Sequence, residues 1–129
     1  MGQIKIFGLA SELNKNKEEI SEIVHSCVVD ALKYPKDKKF HRFFPMESDN
    51  FYFPKGRTEK YTIIEISIFE GRSIDAKKEL IKLIYSRFSE KLNIAENDVE
   101  ITIFETPKHN WGIRGLPGDE LQIDYKANV

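Results

Sequence analysis

The amino-acid sequence predicts an α+β fold: a two-layer α/β sandwich whose two β-α-β repeats form a four-stranded mixed sheet with two helices on one face. Three observations point there. Apolar residues alternate at Ile4 and Ile6 and again at Ile64, Ile66 and Ile68, the period-two signature of strands. Two longer stretches carry apolar residues at spacings of three and four, the signature of amphipathic helices. The pattern also recurs along the chain. Ile4, Ile6 and Phe7 match Ile66, Ile68 and Phe69 at an offset of 62, from 4 to 66. Leu32 and Phe44 match Leu92 and Phe104 at an offset of 60, from 32 to 92, so a two-residue gap near the first turn is expected.

Taken in order, the first strand holds Ile4 and Ile6, and Gly8 is expected to break it. The first helix follows, with Ile20, Ile23, Val24, Cys27, Val28, Ala31 and Leu32 on one face, and Pro35 ends it by forcing the preceding residue out of helical angles. A second strand is expected from Phe40 to Phe44, closed by Pro45. The connecting loop, residues 45–61, includes Phe51, Tyr52 and Phe53, which are apolar enough to pack on the body or on a partner chain. The second repeat, 62–104, opens with a strand from Thr62 to Phe69. Gly71-Arg72-Ser73 makes the turn, with Ser73 as N-cap and Asp75 favourably placed against the helix dipole. Ala76, Leu80, Leu83, Ile84, Phe88 and Leu92 mark the second helix, and Val99, Ile101 and Ile103 the fourth strand. The carboxy-terminal segment, 105–129, is Gly/Pro-rich from Gly112 to Gly118 and holds a short expected strand at Leu121 to Tyr125. The whole, 1–129, has the length of one domain. Right-handed crossovers make the two strands within each repeat parallel. Two helices cover one face only, so the other is expected to be buried in an oligomer.

Composition removes several functional classes. The chain has 20 Lys+Arg against 21 Asp+Glu, a net charge of −1, which argues against a general nucleic-acid binder. Cys27 is the single cysteine, so no internal disulfide framework exists, and a reducing, cytoplasmic location is expected. No apolar stretch approaches the roughly 20 residues that span a bilayer, and no membrane partner is expected. Met1-Gly2-Gln3 resembles a myristoylation start, but the Ser or Thr that the signal wants is missing. His25, His41, His109 and Cys27 show no short metal-ligand spacing, and no phosphate loop or dinucleotide fingerprint occurs. No metal and no cofactor are expected.

Ile68-Phe69-Glu70-Gly71-Arg72-Ser73 with Lys77-Lys78-Glu79-Leu80-Ile81, and later His109-Asn110-Trp111-Gly112-Ile113-Arg114-Gly115, resemble the tautomerase superfamily. The later run is similar to the carboxy-terminal segment of oxalocrotonate tautomerase. The two fused halves resemble the longer members, the group that includes malonate semialdehyde decarboxylase. The resemblance implies a tautomerase/MIF-like fold, a homotrimer, active sites between subunits, and cofactor-independent keto-enol chemistry on a small 2-keto acid or enol. In that family the base is an amino-terminal proline. This chain reads Met1-Gly2-Gln3, with no proline before Pro35. Trimming of Met1 would leave the primary amine of Gly2 as the expected proton shuttle. An α-amino group titrates near 8, and an apolar pocket together with Arg72 would lower it.

Arg72, at a helix start that already favours anions, is the expected catalytic partner and carboxylate binder. The alternative is an exposed arginine paired with Glu70 or Asp75. By the resemblance, Trp111 forms the apolar wall of the pocket; a core or interface tryptophan is the alternative. Arg114, in a glycine-rich turn, could reach a second carboxylate or a neighbouring subunit. Arg42, flanked by His41 and Phe43, completes the expected substrate-binding set. Asp37 stands near the place of a helper aspartate in decarboxylase-type relatives, although Lys38 takes the aligned position. His25 reads as a boundary histidine and Cys27 as an inert core thiol. The competing functional reading is a non-catalytic trimeric binding or structural member of the same fold.

Overall fold

A computed structural model describes residues 2–121. The expected strand at Leu121 to Tyr125 lies almost wholly outside the described residues. The elements run β1 (Gly2–Leu9), α1 (Ala10–Leu32), β2 (His41–Met46), β3 (Thr62–Phe69), α2 (Ile74–Leu92) and β4 (Val99–Thr106), followed by a two-strand hairpin of β5 (Gly112–Ile113) and β6 (Leu116–Pro117). The main sheet has the order β2-β1-β3-β4. β1 is parallel to β2 and antiparallel to β3, and β3 is parallel to β4. This is the mixed sheet that two right-handed β-α-β units joined side by side produce.

The ladders refine the repeat. In both halves the second strand's partner lies 37 residues on, from Ile4 to His41 and from Thr62 to Val99. The helices end at Leu32 and Leu92, followed by left-handed caps at Lys33 (φ 55°) and Asn93 (φ 54°). β2 and β4 end at Met46 and Thr106. One offset of 60 residues, 33 to 93, therefore relates both halves, and no two-residue shift enters the sheet. The expected offset of 62 arose because isoleucine alternation looks alike at every second position.

Other boundaries differ as well. β1 runs through Gly8, which faces the helices and keeps its place in the ladder opposite Thr62. β2 runs past Phe44 to Met46 because it is an edge strand, where Pro45 leaves no interior ladder bond unmade. α1 leaves β1 directly at Ala10, with no side-chain cap. α2 starts as its sequence signals, the Ser73 hydroxyl accepting from the Ala76 amide at 3.1 Å.

Alternation sorts the sheet into two faces. Ile4, Ile6, Ile64, Ile66 and Ile68 lie under the helices and meet Val24, Cys27, Val28, Leu80, Ile84 and Phe88 in one core. Each such side chain contributes roughly 1.5–3 kcal/mol by leaving water. Arg87 ties the two helices together at their outer edge, bonding Asp30 at 2.7 Å and the Ser26 hydroxyl at 2.9 Å. Among the described residues no helix covers the opposite face. Across it run Phe44, Phe7 and Ile63 in register, with the Phe7 and Phe44 rings stacked at 4.7 Å. A charged row of Arg42, Lys5 and Glu65 lies alongside.

The connecting loop packs on the body through Phe51 and Phe53, whose rings lie 5.8 and 5.4 Å from Tyr61, while Tyr52 is 87% exposed. Buried Asp98 anchors the loop by accepting from the Thr58 amide at 2.7 Å and hydroxyl at 2.6 Å. No helix among the described residues is long and apolar enough to cross a membrane.

Candidate functional site

Two neighbouring features form at the start of β1. The first is the surround of the Gly2 nitrogen. Gly2 is buried on the helix side of the sheet, and its N–H donates to the Tyr34 hydroxyl at 2.5 Å. Tyr34 is held there because α1 ends in a left-handed cap at Lys33, which turns the chain back under the sheet. Arg72 approaches from the β3–α2 turn. It is only 6% exposed, and its Nη1 donates to the carbonyl oxygen of Leu32, one of the carbonyls left open at the end of α1. Burial raises the Tyr34 phenol above its ordinary value, opposed by the Gly2 hydrogen bond and by the charge of Arg72. Burial likewise lowers Arg72, opposed by Tyr34. Tyr34 is thus coupled to both the chain's first described nitrogen and the buried cation.

A small cavity beside Gly2 is also lined by His25, His41, Lys38 and Phe40. His41 Nδ1 shares a 2.7 Å hydrogen bond with the Ser21 hydroxyl, and its ring meets that of His25 edge-on at 5.9 Å. Burial first, then the nearby His25 and Lys39, lowers His41 to about 4. His25 donates Nε2–H to the Lys36 carbonyl at 2.8 Å, a boundary position as expected. Cys27 lies buried in the core with its thiol pushed up chiefly by burial, which suits an unreactive side chain. Among the described residues no group of three His, Cys, Asp or Glu is arranged to hold a metal ion.

The second feature is an open cleft of about 260 Å³ on the other side of Phe40 and Lys38, lined further by Gln3, Trp111, Ile113 and Arg114. Phe40 and Lys38 line both spaces. The cleft's far side is the β5–β6 hairpin. Arg114 (φ 51°) and Gly115 (φ 86°) take the positive angles that a two-residue hairpin turn demands. The hairpin is fixed by the Gly118 amide donating to the Trp111 carbonyl at 2.7 Å, and by the Trp111 ring meeting Phe69 edge-on at 5.1 Å.

Of the expected site residues, the structure gathers Trp111 and Arg114 in the cleft and places Gly2 beside the small cavity that shares Lys38 and Phe40 with it. Arg72 is buried next to Tyr34 and does not line the cleft. Arg42 is exposed on the open face beside Lys5, away from both spaces. Asp37 is exposed in the turn after α1. Sequence reasoning missed Tyr34, Lys38 and Phe40. The one local signal for Tyr34 was an aromatic residue wedged between a helix end and Pro35.

The family model described as "Tautomerase enzyme" matches residues 38–114, more than half of the chain. The chain belongs to the tautomerase family. Probable tautomerase YusQ of Bacillus subtilis (strain 168) is 24% identical over 99 residues, 73% of this chain and 78% of that protein. The 2-hydroxymuconate tautomerase of Comamonas testosteroni is 35% identical over 57 residues, 44% of this chain and 90% of the relative. Among solved structures, malonate semialdehyde decarboxylase superposes with a TM-score of 0.80 at 18% identity, covering 92% of this chain and 99% of that one. A fused 4-OT asymmetric trimer superposes at 0.79 with 17% identity, covering 91% and 96%. At those identities the structural likeness speaks for the fold.

Proposed function

We propose that the protein is a cofactor-independent keto-enol tautomerase acting on a small 2-keto acid or its enol. The observation that carries this reading is the place of the Gly2 nitrogen: buried, hydrogen-bonded to Tyr34, and beside a small cavity that shares Lys38 and Phe40 with the open cleft. With Met1 removed, that nitrogen becomes a primary amine. Desolvation and the charge of Arg72 then favour its neutral form. A neutral amine takes the proton from the enol hydroxyl; the C=C electron pair closes onto C3, which receives the proton from the ammonium as the C2 carbonyl forms. Arg72, expected to bind carboxylate, supplies the site's positive field from its buried position, and Arg114 and Lys38 supply the charges at the cleft itself. Trp111 and Phe40 keep water from the reacting atoms. The 2-hydroxymuconate relative supports the substrate class, since a 2-hydroxy-dienoate is the enol of a 2-keto acid.

The open sheet face, with Phe7, Phe44 and Ile63, supports assembly as a homotrimer, as the fused 4-OT neighbours assemble, and a second subunit could bring Arg42 to a cleft. Chain composition supports a cytoplasmic location. The test is turnover of enol phenylpyruvate by the trimmed protein, abolished in Arg72→Ala. No rate above buffer defeats the proposal.

One observation favours a second reading, a non-catalytic binding member: Arg72 spends Nη1 on the Leu32 carbonyl. That reading expects Met1 to be retained and no keto-acid adduct at the amino terminus after borohydride.

A further inference from the structure

The cavity around Gly2 has an uneven charge. Cations or their precursors act on it from each element packed there: His25 from α1, His41 from β2, Lys38 from the turn before β2, and Arg72 from the β3–α2 turn through its charge on Tyr34. Among the described residues no carboxylate lines it. An ammonium buried there, with no counter-ion among the described lining residues, is favoured by a neutral acceptor. His41 Nδ1 is engaged with Ser21, and the Leu32 carbonyl takes Arg72. The Tyr34 oxygen is the acceptor already aligned with the Gly2 nitrogen.

We propose that Tyr34 is a positioning residue for the amino-terminal amine, its phenol oxygen holding that nitrogen in place and accepting a hydrogen bond from its protonated form. This rests on the tautomerase reading, in which the amine must both take and return a proton. Without the acceptor, burial and neighbouring cations would leave the amine too weak a base to hold the proton between the two steps. Tyr34 opposes that drift. The phenol itself stays protonated at neutral pH, since burial raises it. It therefore offers an oxygen without adding a charge.

The experiment compares wild type with Tyr34→Phe, which keeps the ring and removes only the oxygen. Intact mass first establishes that Met1 is removed. Labelling of the α-amine by acetic anhydride is then followed across pH by mass spectrometry, without any substrate. The expected result is an amine that titrates about one pH unit lower in Tyr34→Phe, the scale of losing one hydrogen bond to a charged group. The acidic limb of the kcat profile for enol phenylpyruvate should move with it, while KM stays within about twofold. An unmoved or raised titration overturns the role of Tyr34. Retained Met1 overturns the tautomerase reading and the proposal together. A shifted amine with no turnover in either protein supports Tyr34 while defeating the reading, so the two failures are distinguishable. Should Tyr34→Phe fold poorly, 3-fluorotyrosine at position 34 keeps the shape and weakens the acceptor, and a smaller downward shift is expected.

Discussion

Replacing His41 by Asn should make the protein less sensitive to acid. His41 lies between β2 and α1, with Ser21 on Nδ1 and His25 against its ring. In the folded chain burial lowers it to about 4, from the usual 6.5. The unfolded chain therefore binds a proton at a pH where the folded chain does not. The stabilisation from the neutral ring is complete above pH 6.5 and is lost as pH falls towards 4. The gap between those two values corresponds to about 3 kcal/mol, an upper figure because the ring is not wholly buried. Urea unfolding at steps from pH 7.5 to 4 measures it. Wild type should lose about 2–3 kcal/mol more than His41→Asn across this window, since carboxylate titration is common to both. Parallel loss in the two proteins would refute the reasoning, and would mean that His41 is either already charged or relaxed into water.

Three further outcomes are expected. In Gly118→Ala the new Cβ would lie 2.6 Å from the Lys108 carbonyl oxygen and 3.0 Å from the Phe69 ring, so the hairpin must shift; a loss of about 1–3 kcal/mol and an altered emission of Trp111, the single tryptophan, are measurable by urea unfolding and fluorescence. Asp98→Ala strands both Thr58 donors and should cost about 2 kcal/mol, with faster proteolysis between residues 47 and 61 as the readout. Gly2→Pro should raise turnover of enol phenylpyruvate by supplying a secondary amine, and its Cβ would meet Tyr34 and Ile68 no closer than 3.5 Å. Unchanged activity there would place the deficit in the pocket rather than in the base.

Much of the architecture is legible in the sequence because its causes are local. The isoleucine alternation of β3, the apolar stripe of α2 and the Ser73 cap each follow from neighbours within a turn or two. The same locality misleads where the cause lies elsewhere. Pro45 ends no strand because β2 has a partner on one side only, a fact of sheet order. Gly8 breaks nothing because its place in β1 is paired on both sides. The site suffers most from this. Trp111 and Arg114 could be named from a motif, and they do meet in a cleft. Tyr34, 32 residues from Gly2, and the burial of Arg72 against the end of α1 depend on how a left-handed cap redirects the chain. No window of sequence holds both partners.

The single offset of 60 residues also limits how many reactive ends the fold can offer. Position 62 is the counterpart of position 2, yet the Thr62 nitrogen continues from Tyr61 as an amide, however the chain is processed. Ile94, the counterpart of Tyr34, is buried and carries no hydroxyl. Arg72 belongs to a four-residue turn, 70–73, for which the first repeat has α1 already under way at Ala10. The two copies of the frame thus carry different residues, the first Gly2 and Tyr34 and the second Arg72. In an assembly of any size, amine-bearing ends can number at most half the β-α-β units. The second repeat has filled its corresponding end with the aromatic packing of Phe51, Phe53 and Tyr61.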